Sequence, residues 1–324
     1  MKAAAYSSTG GPDVFEYVDV PDPVLRPKGI ILEIQAIGIQ GGDVLHRASG
    51  VLGSVPHVVG YQAAGIVREV GAAVTGLEVG QAVVATMGDG SHAELASVSA
   101  ATVFALPAGL DVETAAAVPI EFGTADDCLF EFGHLAAGES VLINAGAGGV
   151  GLAAIQLARA AGASIVIATA SSDERLERLR EFGMDVGINY VSTERVAAAV
   201  REHTGGAGVD LVVDPVGGRT LEMSIAALAY RGRVSWVGSA GRDTAPADVR
   251  GLMAKNATLS GVFLGAELAV DRARTRPMIE SLLQRVASGE LRAVVDRVFA
   301  LADAAEAHRY VESRQAFGRV LLRP

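Results

Sequence analysis

The stretch Ser140-Val-Leu-Ile-Asn-Ala-Gly-Ala-Gly-Gly-Val-Gly151 constrains the fold more than any other, because it carries an apolar strand through a glycine turn straight into a helix. Gly146, Gly148 and Gly151 fit G-x-G-x-x-G, with Gly149 and Val150 between them. Val141, Leu142 and Ile143 have the character of a strand buried on both faces. Ala153, Ala154, Ile155, Leu157, Ala158 and Ala161 then make a small-residue helix with Gln156 and Arg159 as its polar positions. The first glycine permits the tight turn, the second lets a diphosphate approach the backbone, and the third lets helix and strand lie close. Free N–H groups and the positive dipole end of the helix favour the diphosphate charge. In a chain with 39 glycines the pattern alone can arise by chance. The strand-turn-helix context turns it into a dinucleotide-binding signal, against the alternative of a merely tight turn.

A chain of 324 residues, half of them apolar, is long enough for two domains with real cores. Its net charge of −10, with no cluster of Lys and Arg, argues against a nucleic-acid partner. The single cysteine, Cys128, excludes an internal disulfide and a cysteine-rich zinc site, and is expected to pack as a small apolar residue in a reducing compartment. After Tyr6 the chain reads Ser-Ser-Thr-Gly-Gly-Pro-Asp, which is turn chemistry rather than the apolar core of a signal peptide. No apolar run is long enough to span a bilayer, so a soluble cytoplasmic protein without a membrane partner is expected.

The first third reads as mostly β. Ile31 to Ile37 alternates, with Leu32, Ile34 and Ala36 on one face and Glu33 and Gln35 on the other. Further strands are predicted at Ala64 to Val70, Gln81 to Thr86 and Ala93 to Val98, separated by glycine turns. Such closely spaced strands suggest a small barrel or sandwich. After Pro107 the texture changes: helices are predicted at Asp111 to Val118 and Thr124 to Phe132. Alternation follows, with strands at Ser140, Ile165 to Thr169, Gly187 to Tyr190, Val209 to Val213, Arg233 to Val237 and Thr258 to Leu264, and helices at Asp173 to Phe182, Thr193 to His203 and Thr220 to Leu228. This predicts an α/β class with a doubly wound six-stranded parallel sheet over residues 121–265. The remaining pieces, a helix at Met278 to Ala287, another at Asp303 to Ser313 and a strand at Arg319 to Leu322, are assigned back to the β-rich domain, giving it residues 1–120 and 266–324. A ligand cleft is then expected between the domains.

An NAD-specific fold ends its second strand in a carboxylate that holds the ribose hydroxyls. Here that strand ends in Ala170-Ser171-Ser172, with Arg175 in the next turn as a planar donor fork for a phosphate dianion, which favours NADP. The alternative is that Ser171 or Ser172 simply caps the following helix, with Ser171 and Glu174 spaced as a capping box, and that Arg175 is a solvated charge.

At this point the sequence resembles the zinc-independent medium-chain dehydrogenase/reductase superfamily, and within it the quinone oxidoreductase group. The resemblance covers essentially the whole chain. It rests on Gly10-Gly-Pro-Asp-Val14, Ala36-Ile-Gly-Ile-Gln-Gly-Gly-Asp43 followed by Arg47, Gly60-Tyr-Gln-Ala-Ala-Gly65, the glycine loop, Ile188-Asn-Tyr190 and Glu312-Ser-Arg314. It implies a GroES-like catalytic domain joined to a Rossmann domain, NADPH as cofactor, and hydride transfer to a quinone or to the β-carbon of an α,β-unsaturated carbonyl compound. By position it implies that Arg175 holds the 2′-phosphate, that Tyr190 lies near the adenosine and that Thr124 contacts the nicotinamide side. It further implies that Arg314 reaches the cofactor from the C-terminal segment, while Gly238, Ser239, Phe263 and Leu264 wall the nicotinamide ribose and carboxamide. Tyr190 and Phe263 could equally be core aromatics, and Arg314 a surface ion-pair residue.

Two positions depart from the family. Gln40 stands where the first motif usually has Asn, and Gly60-Tyr61-Gln62 replaces Gly-x-Glu. The tyrosine that several enoyl reductases carry after the motif arginine is also missing from Gly50-Val-Leu-Gly53. Without a metal, the developing oxyanion needs hydrogen-bond donors. Gln40 is the first candidate and Tyr61 the second; Asp43 is read as orienting Arg47 or backbone rather than as a base. His46 and His57 are potential acids but are read as loop residues outside the core assignment. Zinc alcohol dehydrogenase chemistry is rejected, since the cysteine ligands are missing. The leading expectation is an NADPH-dependent quinone or enone reductase acting on a small-molecule electrophile. Alternatives are an enoyl-thioester reductase of secondary metabolism and an NADPH-binding regulatory protein without turnover. Gly261-Val-Phe-Leu264 reads as an apolar sheet edge, which predicts a homodimer pairing two such edges.

Overall fold

The two textures of the sequence become two kinds of sheet. The computed structural model describes residues 1–191, 195–243 and 245–324. The chain divides into two compact units, Met1–Ile120 with Glu267–Pro324, and Glu121–Ala266.

The first unit opens with β1 (Lys2–Ala5), β2 (Glu16–Asp19), β3 (Gly29–Gly38), α1 (Gly41–Ser49), β4 (Gln62–Val70), β5 (Ala82–Thr86), β6 (Leu95–Ser99), β7 (Val103–Ala105) and the single turn α2 (Val112–Ala115). β3 is its organising strand, paired antiparallel with both β4 and β6. Glu33 and Gln35 are its exposed positions, as the alternation predicts. Its register against β4 shifts between Ile31 and Leu32 and again between Ile34 and Ala36, bulges of the kind that bend a sheet around a core. That core is built from Ile30, Leu32, Ile34 and Ile37 with Val67, Val83 and Val98. Helix α1 is not legible in the sequence because it opens on two glycines. It forms because Asp43 supplies the first turn with an acceptor, taking the Gln40 N–H on Oδ2 at 2.7 Å.

The chain passes into the second unit within α3 (Pro119–Asp126). It continues through β8 (Ser140–Ile143), α4 (Gly149–Ala160), β9 (Ile165–Ala170), α5 (Asp173–Leu179), β10 (Val186–Asn189), α6 (Val196–His203), β11 (Val209–Asp214), α7 (Arg219–Ala227), β12 (Leu228–Trp236), α8 (Gly251–Lys255) and β13 (Thr258–Gly261). These six strands form one sheet in the order β10-β9-β8-β11-β12-β13, every pair parallel. This is the doubly wound arrangement predicted from the glycine loop. The order reverses between β8 and β11, the switch point outside whose carboxyl ends such sheets bind ligands.

The chain then runs through α9 (Leu264–Val270), α10 (Arg272–Ala287), β14 (Val295–Ala300), α11 (Ala304–Glu312) and β15 (Arg319–Arg323). β15 lies parallel to β14 and antiparallel to β3, so the C-terminal segment completes a seven-stranded sheet with the N-terminal strands.

Several predicted boundaries move. The last Rossmann strand stops at Gly261, and Leu264 opens a helix instead of ending a strand. The C-terminal helix starts at Arg272 rather than Met278: Asp271 caps it by accepting the Arg274 N–H at 3.2 Å, leaving Pro277 inside the helix. The helix read from Asp111 shrinks to one turn because Asp111 caps it and Pro119 starts another. The predicted start of α6 at Thr193 lies outside the described residues. Strands β1, β2, β7 and β14 are too short or too polar to stand out in the sequence. Among the described residues no helix is long and apolar enough to cross a membrane.

Candidate active site

The glycine loop leaves β8 through Ala145, a non-glycine residue held at φ +52°. Each glycine then has a different neighbour. A Cβ at Gly146 would meet Leu179 Cδ1 at 2.9 Å and Ala168 Cβ at 3.0 Å. One at Gly151 would strike the Ala145 carbonyl and come within 2.7 Å of Gly146 Cα, so only glycine lets α4 lie against the strand end. At Gly148 the added atom would meet only Ala145 O, at 3.4 Å. The middle of the loop therefore opens away from the protein, beside the half-exposed N-terminal residues Gly149 and Val150 of α4. A backbone cradle with N–H groups and room above it fits a diphosphate.

Because the strands are parallel, the next candidate residues emerge from the same edge of the sheet. Ser172 is the cap of α5, its Oγ accepting the Arg175 N–H at 3.3 Å. Of the two serines read as possible caps it is Ser172 that caps α5, so the box spacing of Ser171 and Glu174 is not used and Ser171 lies ahead of the cap. Arg175 is half-buried on the first turn of α5. Tyr190 follows β10, its N–H donating to Ala170 O at 3.1 Å, while Asn189 donates to Asp173 Oδ1 at 3.0 Å. Tyr190 is 42% exposed and Phe263 73%, so neither is the core aromatic it could have been. Gly238 and Ser239 follow β12, and the Trp236 indole N–H donates to Gly238 O at 2.7 Å. Thr124 is buried in α3, and Leu264 is buried as the first residue of α9. Arg314 belongs to the first unit, in the exposed turn after α11, at φ +59°.

In the first unit, Gln40, Asp43 and Tyr61 are drawn together around the start of α1. Gln40 is buried, with its Nε2 3.5 Å from Gly38 O. Asp43 is fully buried and holds the helix start. The Tyr61 ring lies against Gly42, where a Cβ would come within 2.7 Å of it, and its hydroxyl donates to Gly42 O at 3.4 Å. Burial, reinforced by Asp43 and Asp89, pushes the Tyr61 phenol up to about 12, so it stays a donor at neutral pH. Gln62 works as a two-way clamp. Its Nε2 donates to Ala116 O at 2.5 Å and its Oε1 accepts the Ile120 N–H at 2.7 Å, a pair of bonds a carboxylate could not make. Arg47 is fully buried, donating to Gly10 O at 2.9 Å and pairing with Glu312 of α11.

His57 lies in the connection between α1 and β4, as expected of a loop residue, but not at the surface, while His46 lies on α1. His57 is buried and stacked on His46, whose Nδ1 meets the Tyr6 hydroxyl at 2.9 Å. Two further groups were missed altogether: the buried pair His92 and His308, and a line of buried polar side chains beneath the glycine loop formed by Asn144, Thr169, Asp214 and Ser224. Their partners come from separate stretches of chain, which no local pattern reveals; the polar Asn144 closing an apolar strand was the only signal.

Comparison with known proteins finds relatives along the whole length of the chain. Residues 26–108 match the family model of the alcohol dehydrogenase GroES-like domain, and residues 149–284 match that of zinc-binding dehydrogenase. A quinone oxidoreductase of Pseudomonas aeruginosa is 33% identical over 328 residues, covering 100% of this chain and 99% of the relative. A 2-haloacrylate reductase of a Burkholderia species is likewise 33% identical, over 337 residues, with 100% and 99% covered. The crystal structure of Escherichia coli quinone oxidoreductase complexed with NADPH superimposes with a TM-score of 0.94 at 29% identity, covering 100% of both chains. With whole-length relatives, both domain models and the parallel sheet in agreement, the chain belongs to the zinc-independent medium-chain dehydrogenase/reductase superfamily, in its quinone oxidoreductase group.

Proposed function

We propose that this chain is an NADPH-dependent reductase of small electrophiles, quinones or activated C=C bonds of α,β-unsaturated carbonyl compounds, working without a metal. Membership in the group supports NADPH oxidoreductase activity in general. The observation that carries the cofactor reading is the open cradle at Gly148, followed along the same sheet edge by a strand end that offers Ser171, Ser172 and Arg175 and no carboxylate at the strand tip. When bound, the dihydronicotinamide supplies the hydride. The protein has to hold the oxygen that gains charge, and its candidates for that are the Gln40 amide and the protonated Tyr61 hydroxyl. Asp43 is committed to the start of α1, so we give it a positioning role rather than that of a base. Support for metal-free chemistry comes from Cys128, the one cysteine, whose buried thiol is pushed upward by desolvation, and from Gln62, whose amide is spent on backbone. Quinones and 2-haloacrylates, the substrates in the names of two relatives, share the demand for an oxyanion donor.

The test is oxidation of NADPH, followed at 340 nm, with a simple quinone, a small enone and an enoyl thioester side by side and NADH in parallel. Turnover of quinone or enone with NADPH is the expected result. Turnover confined to the thioester would move the substrate class, and binding without any turnover would reduce the chain to a nucleotide-binding protein. The same reading makes the protein a cytoplasmic homodimer. β13 ends the sheet with its outer edge unpaired among the described strands, and exposed Phe263 lies beside it. Light scattering at micromolar concentration should give twice the chain mass; a monomer would remove the dimer.

A further inference from the structure

We propose that Thr169, Asn144, Ser224 and Asp214 form a single hydrogen-bonded relay that holds the diphosphate loop in register with the loops following β11 and β12, and that all four are positioning residues for cofactor binding. All four side chains are buried, at 3% exposure or less. At one end Thr169 clamps the start of the glycine loop twice: its Oγ1 accepts the Ala145 N–H at 3.2 Å and its carbonyl accepts the Gly146 N–H at 2.8 Å. The Thr169 hydroxyl donates in turn to Asn144 Oδ1 at 3.2 Å, and Asn144 Nδ2 donates to Ser224 Oγ at 2.8 Å. Ser224 donates to Asp214 Oδ2 at 2.9 Å, and Asp214 Oδ1 accepts the N–H groups of Val216 at 2.8 Å and Gly217 at 3.0 Å.

The proton count gives the line a direction. Each hydroxyl has one proton and uses it toward Asp214, while its oxygen accepts from the side of the glycine loop; the Asn144 amide has only one orientation that serves both neighbours. Both ends of the line finish on backbone at positive φ, the non-glycine Ala145 at +52° and Gly217 at +72°. The Asp214 end reaches further. Ala240 N–H donates to Pro215 O at 3.1 Å and Gly241 N–H to Val216 O at 3.0 Å, which fastens the loop after β12 to the loop after β11. An apolar filling of the same space would avoid desolvating a carboxylate, an amide and two hydroxyls. A fully satisfied polar line instead fixes three loops relative to one another at the sheet edge that the cofactor would use.

This inference rests on the cofactor reading above but not on the substrate. It is tested by fluorescence titration of the full-length protein with NADPH, comparing wild type with Thr169→Val, Thr169→Ser, Ser224→Ala and the Thr169→Val/Ser224→Ala double variant. Each single loss of a hydroxyl should weaken NADPH binding about 10-fold, the size of one hydrogen bond, while Thr169→Ser stays within about 2-fold of wild type. The double variant should bind no more weakly than the worse single one, because a line cut once is already cut. Melting without cofactor separates these effects from loss of the fold, and if Thr169→Val does not fold, Ser224→Ala alone carries the affinity readout. Unchanged affinity in folded Thr169→Val or Ser224→Ala overturns the relay, as does a fully additive loss of about 100-fold in the double variant. A wild-type protein that binds no NADPH would instead overturn the functional reading.

Discussion

The glycine loop of the second unit and the start of α1 in the first are both motif-bearing turns that lead from a strand into a helix, yet they are built from opposite materials. The loop is backbone and empty space: Gly148 faces nothing a Cβ would strike, and what surrounds the loop is held by partners elsewhere in the sheet. The start of α1 is side chains under burial, with Asp43 holding the helix, Gln62 clamping Ala116 and Ile120, and Arg47 tied to Gly10 and Glu312. A cofactor site made from backbone can be altered at its open position, Gly148, without disturbing the fold, whereas a substrate-side motif made from structural side chains cannot.

The largest effect should come from breaking the loop where it has no space. Gly151→Ala drives a Cβ into backbone atoms that cannot rotate away, and should cost about 3 kcal/mol in a denaturant titration. Gly148→Ala, three residues earlier, should cost under about 1 kcal/mol, mostly for losing glycine at the helix cap. Its NADPH affinity should nevertheless fall by about 10-fold or more, since the methyl occupies the cradle. Equal stability losses in the two variants would erase the distinction between packing glycine and ligand-facing glycine.

The first unit supplies the converse. Gln62→Glu introduces the residue usual in the family, yet here it removes the amide donor to Ala116 O and buries a carboxylate against a carbonyl. A loss of about 2 kcal/mol is expected by chemical denaturation at pH 7, shrinking as the pH is lowered and the carboxyl becomes able to donate. A stable Gln62→Glu protein would mean that the clamp is dispensable and that the position faces substrate. Below this in size, Arg175→Ala should narrow the preference for NADPH over NADH about 10-fold without changing the melting temperature. If the ratio of the two Kd values stays fixed, the 2′-phosphate is held by other groups.

How much of this was legible follows the same division. The strand-turn-helix context of Gly146, Gly148 and Gly151 is local, so the parallel sheet and its loop could be read directly from the sequence. The N-terminal motifs could be found too, but not what they do, because Gln62 meets its partners 54 and 58 residues away and Arg47 meets Glu312 265 residues away. Helix α1 is not legible because two glycines open it, and its N-cap is Gln40, boxed with Asp43, rather than one of the usual Ser, Thr, Asp or Asn caps. The expected helix starts at Met278, just after Pro277, because a proline reads as a helix boundary, whereas α10 runs through Pro277 from its cap at Asp271. Phe263 and Tyr190 show the reverse limit: apolar residues near strand ends read equally well as core or surface, and only the fold exposes them.

The histidines sharpen the comparison by pH. Four of the six, His46, His57, His92 and His308, gather in the first unit around Tyr6 and Phe15, while His134 and His203 are exposed in the second. His92 and His308 meet Nε2 to Nε2 at 3.0 Å, a bond in which one ring donates and the other must keep its lone pair, so the pair holds together only when at least one ring is neutral. Burial pushes His92 down to about 3 and His308 well below its ordinary value; His57 is lowered by burial and by His46. A histidine depressed in the folded state contributes stability that is complete above its unfolded value near 6.5 and is lost as the pH falls below it, by up to about 1.4 kcal/mol per pH unit for a ring displaced as far as His92. Asp214 in the second unit, raised by burial, has the opposite sign and gains stability as the pH falls. Between pH 6.5 and 5 the first unit should therefore loosen before the second. Hydrogen exchange, corrected for its intrinsic pH dependence, should show protection falling in β1, β6 and α11 while β8 and β11 hold theirs. Parallel loss in both units would mean that the histidine cluster does not set the acid limit of the fold.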